Sequence, residues 1–414
     1  MSKFNKYYLS LINNRYCAIL LYLFAIFYLL ESKIIYDYFV PQDLSKYIGL
    51  FRDWVITLDD TYCEIKQDNY NCRPYQYGPI LLYLPFPNIL KSFYYEIFPI
   101  TTIIIFILFI FIIFKNFYNK NKLLILTIIF SPTTLLVLER GNLDLHLFLI
   151  AITISYSRYY YLNIFLISIS FLLKYYPITY LVNIFTFYKK KSHLSLWLTI
   201  IILSLFFGIF LFIYKSIFLD LFLNLSASKA GYHLIFSIKA LSKIFKYYFS
   251  LNYILILLLT YLLFIFLVYR FIIFNYKIKL HKEINLHSLE EKLFLIGTNT
   301  SLFTYIIFSN IYYREIFLIL SIPLIMKLRE NIKFKKLFSF ILLIIMLRYI
   351  FLHVHNFELL SDNHHHINDV RIFTKSFMIT LTIKSLFDYF FLIFITSLVF
   401  FQNLKIIKIL LKKT

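Results

Sequence analysis

Long apolar runs separated by short basic segments extend through most of the chain. A transmembrane helix needs about 20 predominantly apolar residues, and apolar runs near that length recur along the sequence. The pattern predicts an all-α, polytopic integral membrane protein with about 12 transmembrane helices. The predicted spans are residues 16–35, 99–114, 122–138, 144–157, 160–175, 177–188, 195–219, 250–274, 292–309, 313–327, 336–352 and 383–403.

The lysine and arginine clusters between these runs predict the orientation. Short loops rich in lysine and arginine usually face the cytoplasm, so the spans between clusters must cross in pairs and both termini are expected to be cytoplasmic. Residues 36–98, 220–249 and 353–382 then form outer loops, of which the first is the longest. Residues 220–249 mix apolar and basic positions, as does a helix that lies on a membrane surface. We expect one transmembrane domain over residues 1–414.

Four predicted spans are shorter than a bilayer crossing requires. Either the membrane thins around them, or their helices continue into the polar residues beside them. The second alternative places residues 139–144 and Lys174 within or near the membrane, facing protein. The short spans are residues 144–157, 160–175, 177–188 and 313–327.

Composition supports the membrane class. The chain of 414 residues is 61% hydrophobic, against roughly 45–50% in soluble domains. Its formal net charge of +21 would suit a nucleic-acid-binding protein. The basic residues, however, fall in short loops between spans, where membrane topology alone accounts for them. We therefore expect no nucleic-acid partner.

One polar cluster interrupts the apolar pattern at "LERGNLDLH", where Glu139, Arg140, Asn142, Asp144 and His146 follow one another closely. Charged groups inside a membrane usually face the bundle interior and serve function. Arg140 could bind an anion there, with Asn142 and Asp144 orienting its guanidinium. The alternative is an ordinary loop with a salt bridge between neighbouring helices.

Two further cations lie between apolar runs on the same predicted outer side. Lys174 stands in "FLLKYYPITYL", and Arg314 in "SNIYYREIFLIL". Together with Arg140 they would suit a lipid phosphate at the outer leaflet. Lys174 could instead extend along the helix to the membrane surface without any ligand.

The first outer loop offers several carboxylates. Asp43 follows the first span closely and comes after Pro41. It could act as a general base in a partly apolar cleft, or it could cap a helix beginning near Leu44. Asp37 is the alternative base.

Cysteine and histidine give weaker signals. Cys63 and Cys72 share the first outer loop and could form a disulfide in an oxidising compartment. Residues 364–366 are consecutive histidines, which read either as a metal-binding tract or, with no second ligand cluster, as a solvated loop. We expect no cofactor and assign no metal ligands, and the sequence leaves the need for a divalent metal open. The sequence contains no phosphate-binding loop, dinucleotide fingerprint, H-E-x-x-H or G-x-S-x-G motif.

The ordered motifs "NYNCRPYQYGPILLYL", "LERGNLDLHLFLIAI", "LLKYYPITYL" and "SNIYYREIFLILSIPLI" resemble bacterial GT-C glycosyltransferases. They are most similar to the polyprenol-phosphate-mannose-dependent α-mannosyltransferases, which include phosphatidylinositol-mannoside enzymes. The resemblance implies a helical bundle whose long first outer loop carries the catalytic acid. Matched by position, this chain offers Asp43 or Asp37 as that acid, Arg140, Lys174 and Arg314 as donor phosphate ligands, and Asn142, Asp144 and Tyr313 as supporting residues.

The resemblance implies a glycosyltransferase of a bacterial inner membrane, active on its outer face. It would transfer a hexose, expected to be mannose, from a polyprenyl-phosphate sugar donor to a lipid or glycan acceptor. Two other readings remain open. A transporter or flippase would also contain buried charge, although it would be expected to show internal repeats, and we find none. An O-antigen-type polymerase or ligase would also act on lipid-linked sugars.

Overall fold

Apolar helices make up most of the computed structural model. It describes residues 98–115, 117, 122–140, 142–187, 192–213, 215, 235–249, 252–307, 310–361, 366–367, 370–371 and 375–411. Asp37, Asp43, Cys63, Cys72 and nearly all of the loop predicted at 36–98 lie outside these residues, as does the span predicted at 16–35.

Helices occupy the apolar runs of the first half of the described chain. The α-helices are α1 (Phe98–Phe114), α2 (Lys122–Ile129), α3 (Pro132–Arg140), α4 (Leu143–Tyr156), α5 (Tyr160–Leu173) and α6 (His193–Ile213), with the 3₁₀ helix η1 (Tyr176–Phe187) between the last two.

The second half continues the same pattern. Its α-helices are α7 (Ile238–Phe249), α8 (Tyr253–Lys277), α9 (Leu289–Ile307), α10 (Ile322–Glu330), α11 (Lys335–Ser361) and α12 (Lys375–Leu411). The 3₁₀ helices are η2 (Leu280–Lys282) and η3 (Tyr312–Ser321). Short antiparallel pairs join β1 (Ile235–Phe236) to β2 (Asn310–Ile311) and β3 (His366–Ile367) to β4 (Val370–Arg371).

Three described helices are long and apolar enough to cross a membrane, and they cover Leu194–Ile213, Tyr253–Lys277 and Met378–Leu411. Large apolar side chains project from α6 and α8 into the surroundings; Phe212 and Ile254 are each 74% exposed. Apolar faces of this size need an apolar environment. The structure thus supports an all-α protein embedded in a membrane, whereas the count of about twelve spans stays a prediction.

A proline divides the span predicted at 122–138. Helix α2 ends at Ile129, and α3 begins at Pro132, because the proline ring excludes the preceding residue from helical geometry. Ser131 Oγ accepts a hydrogen bond from the Thr134 backbone N–H at 3.3 Å and so caps the new helix.

The spans predicted at 177–188 and 313–327 contain long 3₁₀ segments, η1 and η3, which apolar periodicity does not predict. A 3₁₀ helix rises about 2.0 Å per residue, so η1 extends about 24 Å, where an α-helix of its length would extend about 18 Å. By the same geometry, η3 and α10 together reach about 33 Å. This extended winding compensates in part for the shortness of both segments.

Helix α9 lies at the centre of the described bundle, where it packs against α4, α10, α12 and both long 3₁₀ helices. Its buried positions are rich in small residues, which let neighbouring backbones approach closely. At Gly297 the approach is close, because an added Cβ would lie 2.5 Å from Leu320 Cβ and 2.7 Å from the Phe317 carbonyl oxygen. Glycine is therefore required where α9 meets η3.

Helix also covers part of the predicted outer loops. Within residues 220–249, α7 is amphipathic, with Leu241 and Ile244 buried and Lys243 and Lys246 on its outer side. Helix α11 continues to Ser361 and α12 begins at Lys375, so both ends of the loop predicted at 353–382 are helical.

Candidate functional site

Asp144 is the centre of a buried polar site formed by α4, η1, η3 and the end of α5. Its Oδ1 atom accepts hydrogen bonds from Lys174 Nζ at 2.5 Å and from the Tyr176 hydroxyl at 2.6 Å. Its Oδ2 atom accepts one from Arg314 Nε at 3.2 Å. The Asp144 side chain is fully buried, so one carboxylate binds two cations away from water.

Local helix geometry explains why these groups meet. Asn142 caps α4, because its Oδ1 accepts a hydrogen bond from the Asp144 backbone N–H at 2.9 Å. A carboxylate in the first turn of a helix and a cation at the end of a helix both complement the helix dipole. Asp144 lies in the first turn of α4 and Lys174 at the C-cap of α5, and the helix dipoles therefore favour both placements.

Pro177 determines where α5 ends. Pro177 has no backbone N–H to donate to the Leu173 carbonyl four residues earlier, and its ring would clash with that carbonyl, so an α-helix does not continue through this position. The chain turns at Lys174 and resumes as η1 at Tyr176, which brings both side chains to Asp144.

Tyr176 also contacts the second cation. The Arg314 guanidinium lies over the Tyr176 ring, with its central carbon 5.5 Å from the ring centroid. A planar guanidinium stacked on an aromatic face keeps part of its hydrogen-bonding fork available for other acceptors. Tyr176 thus holds the carboxylate through its hydroxyl group and supports Arg314 through its ring.

A second buried ionic cluster lies next to the first along η3. Glu315 pairs with Arg348 of α11 and, at 2.8 Å, with Lys384 of α12. Asp388 pairs with the same two cations, lying 2.8 Å from Lys384 Nζ. Thr133 of α3 donates a hydrogen bond to Glu315 at 3.3 Å. We call Glu315, Arg348, Lys384 and Asp388 the Glu315 cluster.

The structure brings four predicted site residues together, namely Asn142, Asp144, Lys174 and Arg314. Lys174 is only 6% exposed and binds Asp144, so the alternative in which it extends to the membrane surface is wrong. The alternative reading of residues 139–146 was a loop with a salt bridge between neighbouring helices. Asp144 does form salt bridges between helical segments, and its partners are Lys174 and Arg314. Asn142 Oδ1 lies 3.5 Å from Lys174 Nζ.

The other predicted site residues are described only in part. Arg140 ends α3 and Tyr313 lies in η3, but both side chains are outside the described part of the structure. The candidate bases Asp43 and Asp37 are outside it entirely. The role proposed for Asn142 and Asp144 in orienting Arg140 therefore stays a prediction.

Sequence reasoning missed Tyr176 and the whole Glu315 cluster. The signal for the cluster was present, because all four of its members lie inside predicted spans, where ionisable residues need partners. Nothing in the sequence specified which of them would pair. Tyr176 had no comparable signal in a chain with 37 tyrosines.

Within the described residues, no group of three or more histidine, cysteine, aspartate or glutamate side chains is arranged to hold a metal ion. Comparisons with protein-family models, curated proteins and solved structures find no match to this chain.

Proposed function

We propose that the protein is a membrane glycosyltransferase with a GT-C-type architecture. It transfers a hexose, expected to be mannose, from a polyprenyl-phosphate donor to a lipid or glycan acceptor at the outer face of a bacterial inner membrane. About twelve spans and cytoplasmic termini belong to the same proposal. The observation that carries it is the convergence of Lys174 and Arg314 on buried Asp144.

This arrangement suits a phosphate monoester or diester because guanidinium and ammonium groups bind phosphate oxygens through charge-assisted hydrogen bonds. Asp144 holds the two cations near each other, while the Tyr176 ring lies against the Arg314 guanidinium. The surrounding apolar side chains strengthen such contacts by excluding water. Arg140, at the end of α3, is proposed as the third phosphate ligand.

The proposed reaction is a displacement at the anomeric carbon of the donor sugar. An acceptor hydroxyl oxygen forms a bond to that carbon, and its proton passes to the first-loop carboxylate, Asp43 or alternatively Asp37. The bond from the anomeric carbon to the phosphate oxygen breaks, and the electron pair remains on the polyprenyl phosphate. Because the leaving phosphate gains negative charge, fixed cations stabilise the transition state more than the ground state.

Transfer of radiolabelled mannose from polyprenyl-phosphate mannose tests the proposal directly. Arg314→Ala should lower transfer strongly at limiting donor, because it removes a charge-assisted phosphate contact. Arg158→Ala is the matched control, since Arg158 is exposed on the loop between α4 and α5. Unchanged transfer by the Arg314 variant would exclude it from the donor site.

Arg140 is tested in the same assay. Arg140→Ala should weaken donor use, and Arg140→Lys should not restore it because lysine lacks the planar fork. Full transfer by the alanine variant would leave Arg140 with a structural role only.

The base is tested by neutralising each candidate. Asp43→Asn keeps the side-chain shape and any capping hydrogen bond, but it removes basicity. Transfer should fall at least about a hundredfold with near-normal donor binding, and Asp37→Asn should be much milder. The reversed pattern would assign the base to Asp37, and wild-type transfer by both variants would refute a first-loop base.

A further inference from the structure

The 3₁₀ helix η3 connects the two buried ionic clusters through adjacent residues. Three residues make one turn of a 3₁₀ helix, so neighbouring side chains leave it about 120° apart. Arg314 reaches Asp144 on α4, whereas Glu315 reaches α11 and α12. Their Cα atoms are only about 3.8 Å apart, as in any trans peptide. Fixing the backbone at Glu315 therefore also fixes the position of the Arg314 Cα atom, from which its side chain extends.

The Glu315 cluster is suited to fixing that position because its charges balance. Two cations and two carboxylates interact with one another, and all four side chains are at most 4% exposed. Moving Glu315 would leave Arg348 and Lys384 in an apolar interior with only one carboxylate. Among the described residues, Arg348 Nη1 is the one buried nitrogen or oxygen of this cluster without a hydrogen-bond partner, and buried polar networks hold their members more rigidly the more of their hydrogen bonds are made.

Other neighbours also hold η3 closely. Gly297 of α9 lies so near Leu320 and the Phe317 carbonyl that no larger residue fits without movement. Thr133 adds a hydrogen bond to Glu315 from α3. Thus η3 is confined by α9, α3, α11 and α12, while Arg314 projects towards Asp144.

We propose that the Glu315 cluster is a positioning device that holds Arg314 in place for a phosphate-bearing lipid, with Glu315, Arg348, Lys384 and Asp388 as positioning residues. The inference rests on the proposed function, since it assumes that Arg314 binds the donor phosphate. The cluster acts through the backbone of η3 and the direction of the Arg314 side chain. If the cluster only packed helices together, its loss would lower the stability of the protein, and any effect on phosphate binding would be the same with or without Arg314.

The test measures binding of farnesyl phosphate, a short lipid monophosphate, to the purified full-length protein in detergent. The double variant Glu315→Gln/Lys384→Met removes one charge of each sign, so Arg348 and Asp388 can still pair. We expect its dissociation constant for farnesyl phosphate to rise at least about tenfold, a typical size for coupling between sites. Glu290→Gln/Lys327→Met is the matched control, because it removes an ion pair of the same type, 3.3 Å long and partly exposed.

The decisive measurement repeats the comparison in an Arg314→Ala background. If the cluster acts through Arg314, the double variant should have no further effect there, because the two changes remove the same interaction. An equal loss in both backgrounds would overturn the positioning role and leave the phosphate site intact. If Arg314→Ala alone binds farnesyl phosphate like the unchanged protein, the phosphate site itself is refuted, and the inference falls with it.

A milder variant covers the case in which the double variant does not fold. Thr133→Val nearly preserves side-chain shape and removes only the hydrogen bond to Glu315. It should weaken farnesyl phosphate binding about threefold, as expected for one modest hydrogen bond, and only while Arg314 is present. Unchanged binding by a folded Thr133→Val protein would contradict the proposal.

Discussion

Replacing Asp144 with asparagine tests whether one carboxylate organises the candidate site. The substitution keeps the size of the side chain and an oxygen that can accept hydrogen bonds. It removes the negative charge on which Lys174 and Arg314 converge, at 2.5 Å and 3.2 Å respectively. Both cations would then remain largely buried without this shared counter-charge.

The expected loss follows from the burial of the site. Removing one member of a buried ion pair costs about 3–5 kcal/mol, because the partner charge remains in an apolar environment. Removing an exposed pair costs at most about 1 kcal/mol. Asp144→Asn should therefore lower the free energy of unfolding by about 3–5 kcal/mol, and the control Glu290→Gln should lower it by less than about 1 kcal/mol.

Reversible unfolding in mixed detergent micelles, followed by circular dichroism, measures both differences. Lys174→Met in the Asp144→Asn background should recover part of the stability, since it removes one of the two cations left by the first change. If Asp144→Asn is no more destabilising than Glu290→Gln, the carboxylate is not a buried electrostatic centre. The same result would remove the structural basis for placing a phosphate between Lys174 and Arg314.

Three other changes test the geometry around the site in the same unfolding assay. Gly297→Ala should destabilise the protein by about 1–3 kcal/mol through overpacking against η3. This loss is expected even though alanine favours a helix by roughly 1 kcal/mol more than glycine. A more stable variant would contradict the close approach of α9 and η3. Tyr176→Phe should cost about 1.5–3 kcal/mol, because it removes a hydrogen bond to a charged group, and wild-type stability would argue against that bond. Glu291 caps the start of α9, because it accepts hydrogen bonds from three backbone N–H groups that precede the helix. Glu291→Gln should therefore cost about 0.5–2 kcal/mol. An unchanged stability would mean that this cap is not stabilising.

The sequence was sufficient to locate most helices of the described chain. Apolar periodicity and length place α4, α8 and α9 within a few residues of their observed bounds, because a lipid environment requires continuous apolar helices. The 3₁₀ winding of η1 and η3 was not predictable in the same way. Pro177 lies at the start of η1, whereas η3 packs against Gly297 and takes part in tertiary ion pairs. The packing and the ion pairs are not contained in any local pattern.

The candidate site was predictable as a group of residues but not as a set of contacts. Basic-loop topology placed Lys174 and Arg314 on the same side of the membrane as residues 139–144, and the structure brings both to Asp144. The role of the carboxylate was predicted only in part, since sequence reasoning assigned Asp144 to orienting Arg140 and did not predict that it would bind Lys174 and Arg314. Partner choice among buried charges depends on distances across helices, which spacing along the chain does not give.

The balanced Glu315 cluster has a consequence for how the polypeptide enters the bilayer. Its members are synthesised in the order Glu315, Arg348, Lys384, Asp388, and they lie on three separate helical segments. A single charge at the centre of an inserting helix costs about 2.5–3.5 kcal/mol. In α12, Lys384 and Asp388 are one turn apart and pair within the same helix, so that helix carries its own counter-charge. Arg348 has no such neighbour and depends on segments made before and after it. If α11 crosses the membrane as proposed, we expect its stable insertion to depend on α12, so this part of the protein should reach its final arrangement only after Asp388 has been synthesised.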